Sequence, residues 1–253
     1  MKKILAGLAC TTVMICGVNA DLIRIEGGAG IWQQAPKGDI DYTDSLTGLT
    51  ANNKSNEDSE NKTYVWLMIK HPVPVLPNLR VEYVSLESTG KAKGQFKNFN
   101  AGLSSDTLIK MDQYDIIPYY NILDNTGWIT IDLGLDIKVI DTKFTADSVI
   151  VNGFTVNYSD TSNVAIPLAY GRVRFQLPFG FGIEGIGKYI TYDKSSVLDA
   201  LAKIDYTLEF VPVVQPAIEI GYRVQNYKYD DEEEDGKMDM SFSGVYAGIM
   251  LRY

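Results

Sequence analysis

The chain has two cysteines, a single histidine and fewer basic than acidic residues, and each scarcity excludes something. Both cysteines, Cys10 and Cys16, fall within the first twenty residues, so a chain cleaved after them has none. That excludes a disulfide framework, a cysteine nucleophile and a thiolate metal site, and it suits passage through an oxidising compartment. Lys+Arg number 23 against 32 Asp+Glu, and without Lys2 and Lys3 the balance is 21 against 32, a net charge of −11. With no surplus to neutralise phosphates, nucleic acid is excluded as a partner. The 45% hydrophobic content resembles that of a soluble protein. It is equally that of a membrane barrel, whose strands alternate lipid-facing and lumen-facing residues and so average to neutral hydropathy.

Residues 1–20 read as a cleaved signal peptide: Lys2 and Lys3, an apolar stretch over 4–18, and Val18-Asn19-Ala20 before Asp21. The apolar stretch is too short for a transmembrane helix, and neither cysteine follows a good lipoprotein box. The remainder, 21–253, reads as one domain.

That domain alternates. The last strand, SFSGVYAGIMLRY, carries Val245, Ala247, Ile249, Leu251 and Tyr253 on one face and Gly244, Tyr246, Gly248, Met250 and Arg252 on the other. Working from the start, strands are predicted over 22–33, 63–70, 79–88, 107–121, 128–140, about 164–177, 181–191, 201–211, 217–227 and 241–253. The fifth is the strongest evidence for a bilayer. Six same-face aliphatics, Ile129, Ile131, Leu133, Leu135, Ile137 and Val139, oppose Thr130, Asp132, Gly134, Asp136 and Lys138. A tilted strand needs about 9–11 residues to cross hydrocarbon, and an ordinary soluble strand has about 5 or 6. Pro118 leaves the register of the fourth strand open, and the second strand is apolar on both faces.

Ten strands is an even number, and long polar connections (35–62 and 141–163 are the longest) alternate with short Pro/Gly/Asn turns. This pattern predicts a ten-stranded antiparallel up-and-down transmembrane β-barrel of the outer-membrane type, with short turns and both termini in the periplasm and the long loops outside. The terminal strand with its aromatic end resembles the final strand of bacterial outer-membrane barrels, which implies recognition by the barrel-assembly machinery. Gly27-Gly28, the turn His71-Pro72-Val73-Pro74-Val75-Leu76-Pro77-Asn78, the turn Leu177-Pro178-Phe179-Gly180 and that terminus together resemble the small proteobacterial outer-membrane proteins named for a Gly-Gly pair near the mature amino-terminus. The resemblance implies location and fold and carries no catalytic residues.

The inward face is predicted to hold Arg24, Glu26, Arg80, Glu82, Asp132, Asp136, Lys138, Arg172, Arg174, Glu184, Lys188, Lys203, Asp205, Glu209, Glu219, Arg223 and Arg252. This near-balanced set reads as a salt-bridged polar core that closes a narrow bore, because ten strands leave little space beyond side chains. The alternative is a narrow porin threading the same charges. Outer-membrane hydrolases usually place a histidine near the external rim, whereas His71 falls in a periplasmic turn. No catalytic, cofactor-binding or metal site is therefore predicted, and a lipid-modifying enzyme is the outside alternative. The acidic run from Asp230 to Asp235 reads as a solvated loop, with weak divalent bridging to lipopolysaccharide as the sharper idea. Trp32, Tyr64, Tyr119, Trp128, Tyr189, Tyr227 and Tyr253 read as interfacial girdles. The expected partners are outer-membrane lipid, lipopolysaccharide and the assembly machinery, with the protein a monomer.

Overall fold

A computed structural model describes residues 23–43, 50–56, 58–73, 75–96, 99–102, 104–123, 128–211, 213–231 and 236–253. The signal segment, the 124–127 turn and residues 232–235 lie outside the described residues. The chain forms β1 (Arg24–Thr43), β2 (Thr50–Ser55), β3 (Glu60–Lys70), β4 (Asn78–Gly94), β5 (Ser105–Leu123), β6 (Ile129–Val151), β7 (Phe154–Gln176), β8 (Phe181–Tyr192), β9 (Ser195–Thr207), β10 (Gln215–Asp231) and β11 (Gly236–Arg252). All but β2 form one antiparallel ring, closed where β1 pairs with β3 on one side and β11 on the other. The seam runs from Glu26↔Arg252 to Tyr42↔Gly236. Closure leaves the ring without an edge, so every strand finds backbone partners on both sides.

Side chains alternate along these strands without interruption over long stretches. In β5 every odd residue from Ser105 to Tyr119 is buried inside, while Tyr114, Ile116 and Tyr120 face out. In β6 Asp132, Asp136 and Lys138 point in and Leu133, Leu135 and Ile137 point out. The outward aliphatics of all ten ring strands form a continuous belt, in which Leu135 is 60% and Ile249 69% exposed. Exposure of that extent around a whole molecule is intelligible only against hydrocarbon.

The strands exceed the predicted ones at the end opposite the termini. Much of the described part of the polar stretches 35–62 and 141–163 is strand rather than structureless loop: β1 continues to Thr43, β2 pairs with β1 and β4, and β6 and β7 remain paired up to Val151↔Phe154. Asn152 and Gly153 make that turn with φ of 50° and 83°, the left-handed pair that a two-residue hairpin requires. A strand of 23 residues is about 75 Å long at a rise of about 3.4 Å per residue. About half of it suffices for the bilayer, so the remainder stands clear as a paired collar. The predicted loop over 192–199 is likewise a two-residue turn at Asp193 and Lys194, with Tyr192 paired to Ser195. Sequence polarity marked these stretches as lying outside the membrane, and cross-strand pairing nevertheless holds them in the sheet.

The girdle assignment needs correction. Trp32, Tyr64, Tyr119 and Tyr227 are buried inside the barrel, and only Trp128, Tyr189 and Tyr253 of that set are exposed. Parity decides this, since Trp32 shares the inward face of β1 with Glu26 and Tyr64 that of β3 with Trp66. The outward aromatics at the belt are instead Tyr114, Tyr120, Phe181, Tyr206 and Tyr222.

Candidate functional site

At belt level the lumen is filled by ion pairs, several joining strands that are not neighbours. In the layer nearer the termini, Arg172 Nε and Nη2 donate to Glu184 Oε2 at 2.9 and 2.6 Å, and Nη1 donates to Asp132 at 2.7 Å. Arg174 forks onto both oxygens of Asp205 at 2.9 Å each, a bidentate geometry that only a guanidinium provides. Lys203 lies 2.8 Å from Glu219 and 3.2 Å from Glu184. Glu219 also accepts from Tyr64 OH at 2.5 Å and Trp66 Nε1 at 3.2 Å, which explains why β3 turns its aromatics inward. Arg80 and Lys203 each sit 4.4 Å from the Trp66 ring centre, a cation–π arrangement that covers both charges with an apolar lid. Arg252 pairs with Asp205 and Glu26.

In the layer above, Lys188 of β8 reaches Glu82 of β4 at 2.7 Å and also bonds Asp115. Lys138 meets Asp115 at 2.8 Å and Asp199 at 3.2 Å. Arg223 donates to both oxygens of Asp199, at 2.9 and 2.6 Å, and approaches Glu82 at 3.3 Å. Since β4 and β8 lie on nearly opposite walls, the Lys188 to Glu82 bond crosses the bore. Asp136 is the exception: among the described residues it is the only lumen carboxylate with no hydrogen bond, and Lys188 Nζ is 3.9 Å away.

Of the seventeen charges predicted for the lumen, the structure gathers fifteen in this plug, each no more than 7% exposed. Arg24 is half-buried at the terminal mouth, paired with Glu26 at 2.5 Å. Glu209 is the correction. Strand β9 ends at Thr207, so Glu209 lies in the following turn and is exposed. Two lumen carboxylates were missed, and both are central. Asp115 was lost because Pro118 obscured the register of β5, although Tyr114 and Ile116 facing lipid would place it inside. Asp199 was lost to a loop assigned too generously, although stepping back by twos from Lys203 reaches it.

Packing in the plug is tight. A cavity of about 10 Å³ beside Trp66, Arg80 and Lys203 is room for about one water. The charged side chains around it are buried to the degree of a protein core. The plug as a whole satisfies what a low-dielectric interior demands of ions: pairing, and hydrogen bonds on most remaining lone pairs.

Above the plug the bore changes character. Gln113 donates to Tyr227 OH at 2.6 Å, and Tyr227 donates to Gln225, which in turn donates to Asp199 at 2.9 Å. Tyr227, at the top of this polar deck, lines a cavity of about 780 Å³ that opens away from the termini. Its wall includes Ile40, Met111, Ile140, Phe144, Ile166 and Ile190. Phe99 stands at the rim, 4.7 Å from Phe96, 4.8 Å from Tyr158 and 6.0 Å from Phe144 between ring centres.

His71 is at the other end of the barrel. Its Nε2 is 3.0 Å from the carbonyl of Pro77 and its Nδ1 accepts from the Val73 amide at 3.2 Å, so both ring nitrogens serve the turn that joins β3 to β4. Among the described residues no cluster of His, Cys, Asp and Glu is arranged to hold a metal ion. Of the acidic run, Asp230 pairs with Lys237 at 3.2 Å, and 232–235 lie outside the described residues.

No protein-family model and no curated protein sequence matches the chain. Among solved structures it is similar to the outer membrane protease OmpT of Escherichia coli, at 11% identity and a TM-score of 0.57, over 91% of this chain and 97% of that one. A Pseudomonas aeruginosa FadL homologue aligns over 92% of this chain and 90% of that one, at 8% identity and a TM-score of 0.31. At 11% identity the likeness to OmpT is one of fold. The chain folds as a closed, ten-stranded antiparallel barrel of the outer-membrane type.

Proposed function

We propose that this protein is a non-catalytic, non-conducting integral barrel of the bacterial outer membrane, with a structural or surface-interaction role carried by the collar and loops. The observation that carries this reading is the plug, whose ion pairs cross the bore at belt level. Both termini then face the periplasm, and the end bearing the collar faces outward. Its partners are membrane lipid, lipopolysaccharide and, during biogenesis, the barrel-assembly machinery reading Val245, Ala247, Ile249, Leu251 and Tyr253. Ring closure without an edge supports a monomer. On this reading the chain belongs with the small outer-membrane proteins named for their Gly-Gly pair.

Two alternatives are separable. In a liposome-swelling assay with a pentose, vesicles holding the refolded protein should swell no faster than empty ones, and swelling that scales with protein content sinks the reading in favour of a narrow porin. Incubation with lipopolysaccharide and phospholipid should leave both masses unchanged. A product lighter or heavier by an acyl chain establishes a lipid-modifying enzyme instead.

A further inference from the structure

Three ring strands, β5, β6 and β11, invert their polarity partway along. In β6 the outward side chains are aliphatic to Val139 and then become Asp141, Lys143 and Thr145, while the inward ones change from Asp136 and Lys138 to Ile140, Phe144 and Ala146. β5 does the same: Lys110 and Asp112 face out where Ile109 and Met111 face in. β11 follows, with Lys237 and Asp239 outward and Met238, Met240 and Phe242 inward. A membrane barrel ordinarily has a polar lumen. Along these three strands the upper half is built the other way round, polar outside and largely apolar inside, like a soluble barrel that encloses a ligand.

Side chains do not fill this upper half. The 780 Å³ that remain lie within the range of about 300–1,000 Å³ typical of small-molecule sites lined mainly by apolar side chains. The plug closes one end and the sheet the sides, so an occupant enters only through the mouth, and a bore of this width admits a chain or a small molecule but no folded partner. The chemistry of the head group follows from the wall. Among the described residues Asp160 and Lys228 are its only charged members, and Lys228 already lies 3.4 Å from Asp239. The deck amides and the Tyr227 hydroxyl are engaged with one another and with Asp199. Among the described residues no free buried cation lines the cup to receive an anionic head. We infer that the upper barrel is a binding cup for the hydrocarbon chain of an uncharged amphiphile, with the chain end resting on the Gln113 and Tyr227 deck and the polar end at the aromatic rim.

The test uses the full-length barrel in nanodiscs and a hexadecanol carrying a diazirine along its chain, with cross-linked residues mapped by mass spectrometry. Labelling is expected on Met111, Phe144 and Ile190, falling at least fivefold with excess unlabelled hexadecanol. Labelling of Leu133, Leu135 and Ile137 reports the bilayer background and should show no such site-specific competition. Ile166→Trp, which fills the cup, should reduce the inner labelling about tenfold and leave the belt labelling unchanged. The competition on the unaltered protein stands on its own should that variant not fold. Inner residues left unlabelled, or labelled equally with and without competitor, overturn the proposal. A palmitate probe that displaces the alcohol at lower concentration overturns the uncharged head.

Discussion

Replacing Glu184 with alanine is expected to lower the unfolding free energy by about 3–5 kcal/mol, the usual cost of removing one partner from a buried, hydrogen-bonded ion cluster. Glu184 is the shared acceptor of Arg172 and Arg174, and Lys203 lies 3.2 Å away. Without it, Arg172, Arg174 and Lys203 keep only Asp132, Asp205 and Glu219, and Asp205 is already shared with Arg252, so one cation is left uncompensated. The loss comes from uncompensated charge rather than from the absent bonds themselves, so Asp136→Asn provides the control. Asp136 makes no hydrogen bond, so neutralising this buried carboxylate should not destabilise the barrel. Urea titration in lipid vesicles, followed by tryptophan fluorescence, measures both. Equal effects for the two variants would mean that pairing geometry does not govern the plug.

Gly244→Val is expected to prevent closure of the ring, with most of the protein losing heat-modifiable migration on gels. A Cβ at Gly244 would lie 1.8 Å from the carbonyl oxygen of Gln33, and one at Gly30 would lie 2.2 Å from that of Ala247. In both cases the obstacle is backbone, which cannot rotate aside. These positions lie on the seam between β1 and β11, where the strands approach closely and where Trp32 Nε1 donates to the Gly244 carbonyl at 3.2 Å. Gly185→Ala is the matched control, because a Cβ there meets nothing within 4 Å. It should migrate as the unaltered protein does.

How far the sequence could be read depended on which forces act locally. Alternation is local, so β6 and β11 were legible residue by residue, as was most of the charged lumen. Register is not local where both faces are apolar or a proline intervenes, and that is where Asp115 was lost. Ile117 and Tyr119 face inward as Asp115 does, so hydrophobicity alone could not separate the faces of β5. The collar was misread for another reason. A polar stretch reads as loop when judged by composition, yet 141–163 is held in the sheet by pairing between β6 and β7, and Asn152-Gly153 was the available hairpin signal. The cup could not be seen at all from single strands, because an inward aliphatic above the membrane becomes meaningful only when several strands present one together. The aromatic girdle failed because proximity to a strand end was given more weight than parity.

Ion current across a planar bilayer holding single refolded barrels tests the plug most directly. The unaltered protein is expected to give no discrete openings above the empty-bilayer baseline. Removing the bridges that cross the bore with Glu82→Ala, Asp199→Ala and Arg223→Ala together should produce stepwise conductance from those molecules that fold. Discrete and reproducible openings from the unaltered protein would contradict the account, because ions would then be passing through side chains that the structure holds in contact.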